Sequence, residues 1–166
     1  MAICSISLKS KAFPFGYDNL TLAEYFGNNS RITFPFQRIT SLAETPPAER
    51  KVSGLLTYVY HLFPNALIAV LSHHYSLVIL EPIAVDKTRV HNYSLTNPGP
   101  QDKATLARAL NDAEFVKTSG QAECVALAES IQSGIHSCAN DFFTFGHFEP
   151  LITHFHRVLN SKLVDE

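Results

Sequence analysis

Leu55-Leu-Thr-Tyr-Val-Tyr-His-Leu-Phe-Pro-Asn65, continued by Ala66-Leu-Ile-Ala-Val-Leu-Ser-His-His-Tyr-Ser-Leu-Val-Ile-Leu80, decides the fold. The stretch is apolar enough to raise the question of a membrane span, which wants about 20 predominantly apolar residues. His61, Pro64, Asn65, Ser72, His73 and His74 interrupt it. Consecutive buried strands are therefore the better reading. Leu55 to Tyr60 alternates loosely and is rich in β formers. Phe63-Pro-Asn65 breaks it, Ala66 to Leu71 is a short apolar run, and Tyr75 to Leu80 is a further strand. Asp86-Lys87 makes a turn from which Thr88 to Leu95 returns. Strands this close in sequence predict an antiparallel meander.

Outward from this core, the chain reads as a mostly β first part and an α second part. Residues 1–16 carry little structural signal. Thr21-Leu-Ala-Glu24 has capping-box spacing, and Gly27 sits where a glycine would end a short helix. Arg31-Ile-Thr-Phe34 predicts a strand, and Pro46-Pro47 a loop. Asn97-Pro-Gly-Pro100 closes the β part. Residues 102–116 then predict a helix with Leu106, Ala109, Leu110 and Ala113 on one stripe. A break at Ser119-Gly120 follows, with a second capping-box spacing at Thr118 and Gln121. The next stripe is Cys124, Leu127, Ala128, Ile131 and Ile135. Pro150 suits the first turn of a last helix, whose stripe is Leu151, Ile152, Phe155, Val158, Leu159 and Leu163. Strands followed by segregated helices predict an α+β fold, with helices on one face of an antiparallel sheet.

A chain of 166 residues predicts a single domain over 1–166. It is long enough to hide roughly 70% of its unfolded surface. A formal net charge of −2 excludes any general pull toward nucleic acid or acidic membranes. Cys4, Cys124 and Cys138 fit no disulfide framework or zinc spacing. Free thiols and the lack of a signal-peptide pattern at the N-terminus predict a cytoplasmic protein.

One motif carries more than composition does. Residues 123–134 read Glu-Cys-Val-Ala-Leu-Ala-Glu-Ser-Ile-Gln-Ser-Gly. They resemble the E-D-x4-E-x2-Q-x-G pattern in the catalytic domain of Rieske-type aromatic-ring-hydroxylating oxygenase α subunits. Tyr17-Asp-Asn-Leu, Phe26-Gly, Arg31-Ile-Thr-Phe-Pro35, Tyr58-Val-Tyr-His-Leu-Phe-Pro-Asn65, Val85-Asp-Lys-Thr-Arg-Val90, Gly146, Glu149 and Phe155-His-Arg157 extend the resemblance in order along the chain. It implies a helix-grip fold, in which a curved antiparallel sheet wraps a long C-terminal helix. It also implies the C-terminal two-thirds of such a catalytic domain, with no Rieske domain. The family cofactors would be a mononuclear Fe(II) and a 2Fe-2S cluster.

The departures from the pattern are chemical. The family's iron carboxylate follows the first Glu, and here that position is Cys124 beside Glu123. The family's His-x4-His pair and its Cys-x-His pairs do not occur. An oxygenase iron needs two His and one carboxylate with open positions, so no cofactor is expected for the isolated chain, which leans away from being an enzyme by itself. Glu123 points about 100° away from Cys124 on a helix and reads as a solvated first-turn Glu. Cys124 reads as a small buried hydrophobe, with a reactive thiol near a helix N-terminus as the alternative. His73-His74 face opposite sides, and His154 and His156 diverge on a helix. His61 and His91 read as polar strand residues near the sheet surface or mouth.

What remains is an apolar pocket, with Tyr58, Tyr60, Val70, Leu77, Ile79 and Tyr93 from the sheet facing Leu127 and Ile131 from a helix. The first reading is a truncated, non-iron relative that binds a small apolar or aromatic ligand. The second is part of an oxygenase whose Rieske domain and iron histidines come from another chain. The third is an oligomerising module, a homo-dimer or trimer, with no nucleic-acid or membrane partner.

Overall fold

A computed structural model describes residues 21–164 apart from Ser53, Ser72, Asn97, Asn140, Asp141, His147 and Phe148, and describes Gln37 and residues 119–123 by backbone alone. The expectations for residues 1–16 and the Tyr17-Asp-Asn-Leu motif lie outside the described residues.

Six strands follow one another: β1 Leu22–Phe26, β2 Asn29–Pro35, β3 Leu56–Leu62, β4 Ala66–Val70, β5 Tyr75–Ala84 and β6 Lys87–Leu95. They form one sheet in the order β1-β2-β3-β4-β5-β6, every pair antiparallel. The meander expected over 55–95 is present, with a register shift between Pro82 and Ala84. Three helices follow: α1 Lys103–Phe115, α2 Gln121–His136 and α3 Pro150–Val164. The architecture is the α+β class expected from sequence.

Two local expectations are corrected. Thr21 to Glu24 is no helix N-terminus: residues 22–26 are strand β1, turned back into β2 by Gly27-Asn28. Gly27 has φ +61°, and a glycine first in a two-residue loop suits a hairpin that follows the strand twist. Ser119-Gly120 is no break either. A π-helical turn over Val116–Gly120 leads α1 into α2, and the Thr118 hydroxyl donates back to the carbonyls of Glu114 and Phe115. The helix cap lies at Asp102, whose carboxylate accepts from the Thr105 amide at 2.7 Å, satisfying one of the donors a helix start leaves open.

Register sorts the sheet into two faces. One face carries the row Tyr25, Ser30, His61, Leu67, Val78 and Asn92, and the row Ala23, Ile32, Val59, Ala69, Ser76 and Ser94. The other carries Leu22, Thr33, Tyr58, Val70, Tyr75 and Leu95, then Glu24, Arg31, Tyr60, Ile68, Leu77 and Tyr93. The helices use the first, smaller and more polar face. Phe155 of α3 packs edge-on against His61 at 5.2 Å, and His154 against Tyr25 at 4.9 Å. At the far end of the same face, Asp112 of α1 meets His74.

The α3 stripe is buried at Leu151, Ile152, Phe155 and Val158, whereas Leu163 is exposed. On α1 only Ala109 is buried, with Leu106 and Leu110 exposed, and on α2 Leu127 and Ile135 are exposed. Several large members of the α1 and α2 stripes are thus left exposed. Among the described residues, no helix is long and apolar enough to cross a membrane.

Candidate functional site

The motif helix comes first. Cys124 lies in the first turn of α2 and is half-buried; the side chain of Glu123 and the whole of Cys4 lie outside the described residues. Cys138, past the end of α2, is exposed and adopts φ 51°. Among the described residues no three His, Cys, Asp or Glu side chains converge on a point that would hold a metal ion. The histidines are spread over the molecule. His61 lies beneath α3, His74 is bonded to Asp112, His91 to Glu81 at 2.8 Å, and His154 faces Tyr25 while His156 faces Phe145. A ferrous facial triad needs two imidazoles and a carboxylate on one octant, and the described side chains do not form one. The divergence expected for His154 and His156 is seen, and His74 is buried while His73 is exposed.

His61 is core, not the sheet surface or mouth. Its ring is 3% exposed, wedged against Phe155 and Phe63. Its Nε2, the Nε2 of His154 and the Ser30 hydroxyl are buried without a hydrogen-bond partner. Burial pushes the His61 pKa below its ordinary value; a hydrogen bond to the Pro64 backbone opposes this, and the charge of His154 adds a smaller downward push. The unfolded chain then takes up a proton at a higher pH than the folded chain. Stability is complete above the ordinary histidine pKa and is lost as pH falls from there toward the folded value. Chemical denaturation is expected to give lower stability near pH 5 than near pH 7.5, and His61→Asn should shrink that difference. An unchanged difference in the variant would move its origin elsewhere.

The predicted pocket residues are brought together in part. Tyr58, Tyr60, Val70, Leu77, Ile79 and Tyr93 all lie on the second sheet face. That is the face turned away from α1 and α3. The first five are half-buried and Tyr93 is exposed. From the helix side, Leu127 is exposed and Ile131 half-buried. An unforeseen feature anchors one end of this face. The Arg31 guanidinium lies over the rings of Phe26, Tyr58 and Tyr60 at 5.7, 5.4 and 5.5 Å. It also donates to Glu24 at 2.7 Å and to the Tyr60 hydroxyl at 3.2 Å. Such a cation stiffens an aromatic platform while keeping its own hydrogen bonds. Its only sequence signal was the strand alternation that puts Arg31 across from Tyr60.

Two grooves open on the helix side. A smaller one of about 260 Å³ runs between Tyr25 and Pro150, Thr153, His154 and Arg157 of α3. The larger, about 390 Å³, lies between the sheet floor Ser76, Asn92 and Ser94 and the α1 wall, with His74 at its edge. None of the predicted pocket residues lines either groove.

The description of ring hydroxylating alpha subunit (catalytic domain) matches residues 23–165. No curated protein and no solved structure matches the chain significantly. Because that match covers nearly the whole described fold, from strand β1 to the end of α3, the chain belongs to the family of ring-hydroxylating α-subunit catalytic domains.

Proposed function

We propose that this chain is a binding unit of its family and not a self-contained oxygenase. It holds a small apolar or aromatic molecule against the second sheet face, and further copies of the chain close over that face. One observation carries the reading: Tyr58, Tyr60, Val70, Leu77, Ile79 and Tyr93 share the sheet face opposite the one on which α3 meets His61 and α1 meets His74. An antiparallel sheet with one solvated face alternates apolar and polar residues cleanly. Here the face away from the helices is the more apolar one, so a further layer is needed to bury it. Cys124 at the family's carboxylate position supports the absence of oxygen chemistry by this chain alone.

The test is equilibrium dialysis with naphthalene as the probe. Saturable binding is expected, and the double variant Tyr60→Ala, Leu77→Ala should weaken it by about tenfold or more, since each lost apolar contact removes roughly 1–3 kcal/mol. Equal binding by the double variant would place the ligand off this face.

A further inference from the structure

We propose that the groove between the sheet and α1, on the opposite face from the aromatic platform, is a binding site for small aliphatic carboxylic acids, held as carboxylates by His74, Asn92 and Lys117. The inference does not rest on the function proposed above.

The site is built around a buried histidine. His74 ends the β4–β5 connection, where its carbonyl accepts from the Leu71 amide at 3.0 Å. Its side chain is 2% exposed, and Nδ1 lies 2.9 Å from Asp112 Oδ2 on α1. A carboxylate only accepts hydrogen bonds. The Nδ1 proton therefore sits on the ring, and Nε2 is the nitrogen that answers to a ligand. A ligand carboxylate needs a proton on Nε2 as well, because only a protonated Nε2 can donate to it.

The rest of the groove suits the same ligand. Ser76 and Ser94 are register partners on the floor beside Asn92. The Ser76 hydroxyl donates to Asn92 Oδ1 at 2.8 Å. That fixes the amide with its NH2 group as the remaining donor. Lys117 lines the rim, with its ammonium 3.8 Å from Glu114, a loose exposed pair of little strength that a bound carboxylate replaces. Leu110, Ala113 and Val116 form an aliphatic wall. The charged groups facing His74 are Asp112, Glu114 and Lys117, all on the α1 side; the sheet floor contributes none. The volume of about 390 Å³ lies in the range of small-molecule sites.

Isothermal calorimetry with 4-methylpentanoate, in buffers of different ionisation enthalpy, tests this. For eight heavy atoms the expected affinity is in about the millimolar range or better. Binding should take up a proton wherever the free imidazole is neutral and tighten as pH falls there, by up to about tenfold per pH unit for one linked proton. Lys117→Ala should weaken it several-fold, Glu114→Gln should strengthen it, and the neutral 4-methylpentanamide should not bind measurably. Asp112→Asn or His74→Gln, if folded by circular dichroism, should abolish the proton uptake. No binding by the wild-type chain, binding without proton uptake, or equal affinity for acid and amide would each overturn the proposal. So would proton uptake retained in a folded His74→Gln variant.

Discussion

Replacing Phe155 with alanine is expected to cost about 3–5 kcal/mol, the usual range for a large aromatic removed from a packed core. Phe155 is 8% exposed. Its ring meets His61 at 5.2 Å, Phe63 at 6.1 Å and His156 at 5.4 Å. It is thus the point where α3 is fastened to the sheet, flanked along the helix by buried Leu151, Ile152 and Val158. A domain of this kind has a total stability of roughly 5–15 kcal/mol, so the loss would remove a large share of it. Arg157→Ala, two residues on and exposed, should stay within about 0.5 kcal/mol. Chemical denaturation showing the two variants equally stable would mean that α3 is not docked through this side.

The second large effect is expected at the sheet face opposite α1 and α3. Six strands about 4.8 Å apart, each five to ten residues long, offer roughly 600 Å² in projection. That is of the same order as the roughly 800 Å² per partner of a stable interface. Leu22, Phe26, Leu62, Tyr93 and Leu95 are exposed large side chains on this one face. The chain is therefore expected to self-associate at micromolar concentration. Leu77→Lys, in the middle of the face, would bury an unpaired charge at about 3–5 kcal/mol, which raises the dissociation constant more than a hundredfold. Sedimentation should then show a monomer. A wild-type chain that sediments as a monomer, or a Leu77→Lys chain that associates as well as wild type, would remove the interface.

The meander was legible because Phe63-Pro-Asn65 and Asp86-Lys87 punctuate runs of β formers within a few residues of each other. Helix α3 was legible from Pro150 and a stripe of steps three and four. Residues 22–26 were not, because four or five residues fit the spacing of a capped helix as well as a short strand; the pairing with β2 decides it. Alternation told which sheet residues share a face, and the six predicted pocket residues do share one. It could not tell which face receives the helices. The small residues Ser30, Ala69 and Ser76 lie on the side that α3 and α1 approach, and the aromatic side is the opposite one. The His74–Asp112 contact joins residues 38 apart in sequence, a separation without any periodic signal. Cys124 was legible as a departure from the family pattern, since only a defined motif can show a missing ligand.

The claim that this family member works by binding and not through its own oxygenase iron is tested most directly by iron content. The purified chain would be loaded anaerobically with Fe(II), desalted and measured by elemental analysis, beside a Cys124→Asp variant. The account predicts far less than one iron per chain in both, because restoring one carboxylate does not supply two convergent imidazoles. One tightly held iron per chain in the wild type would contradict it.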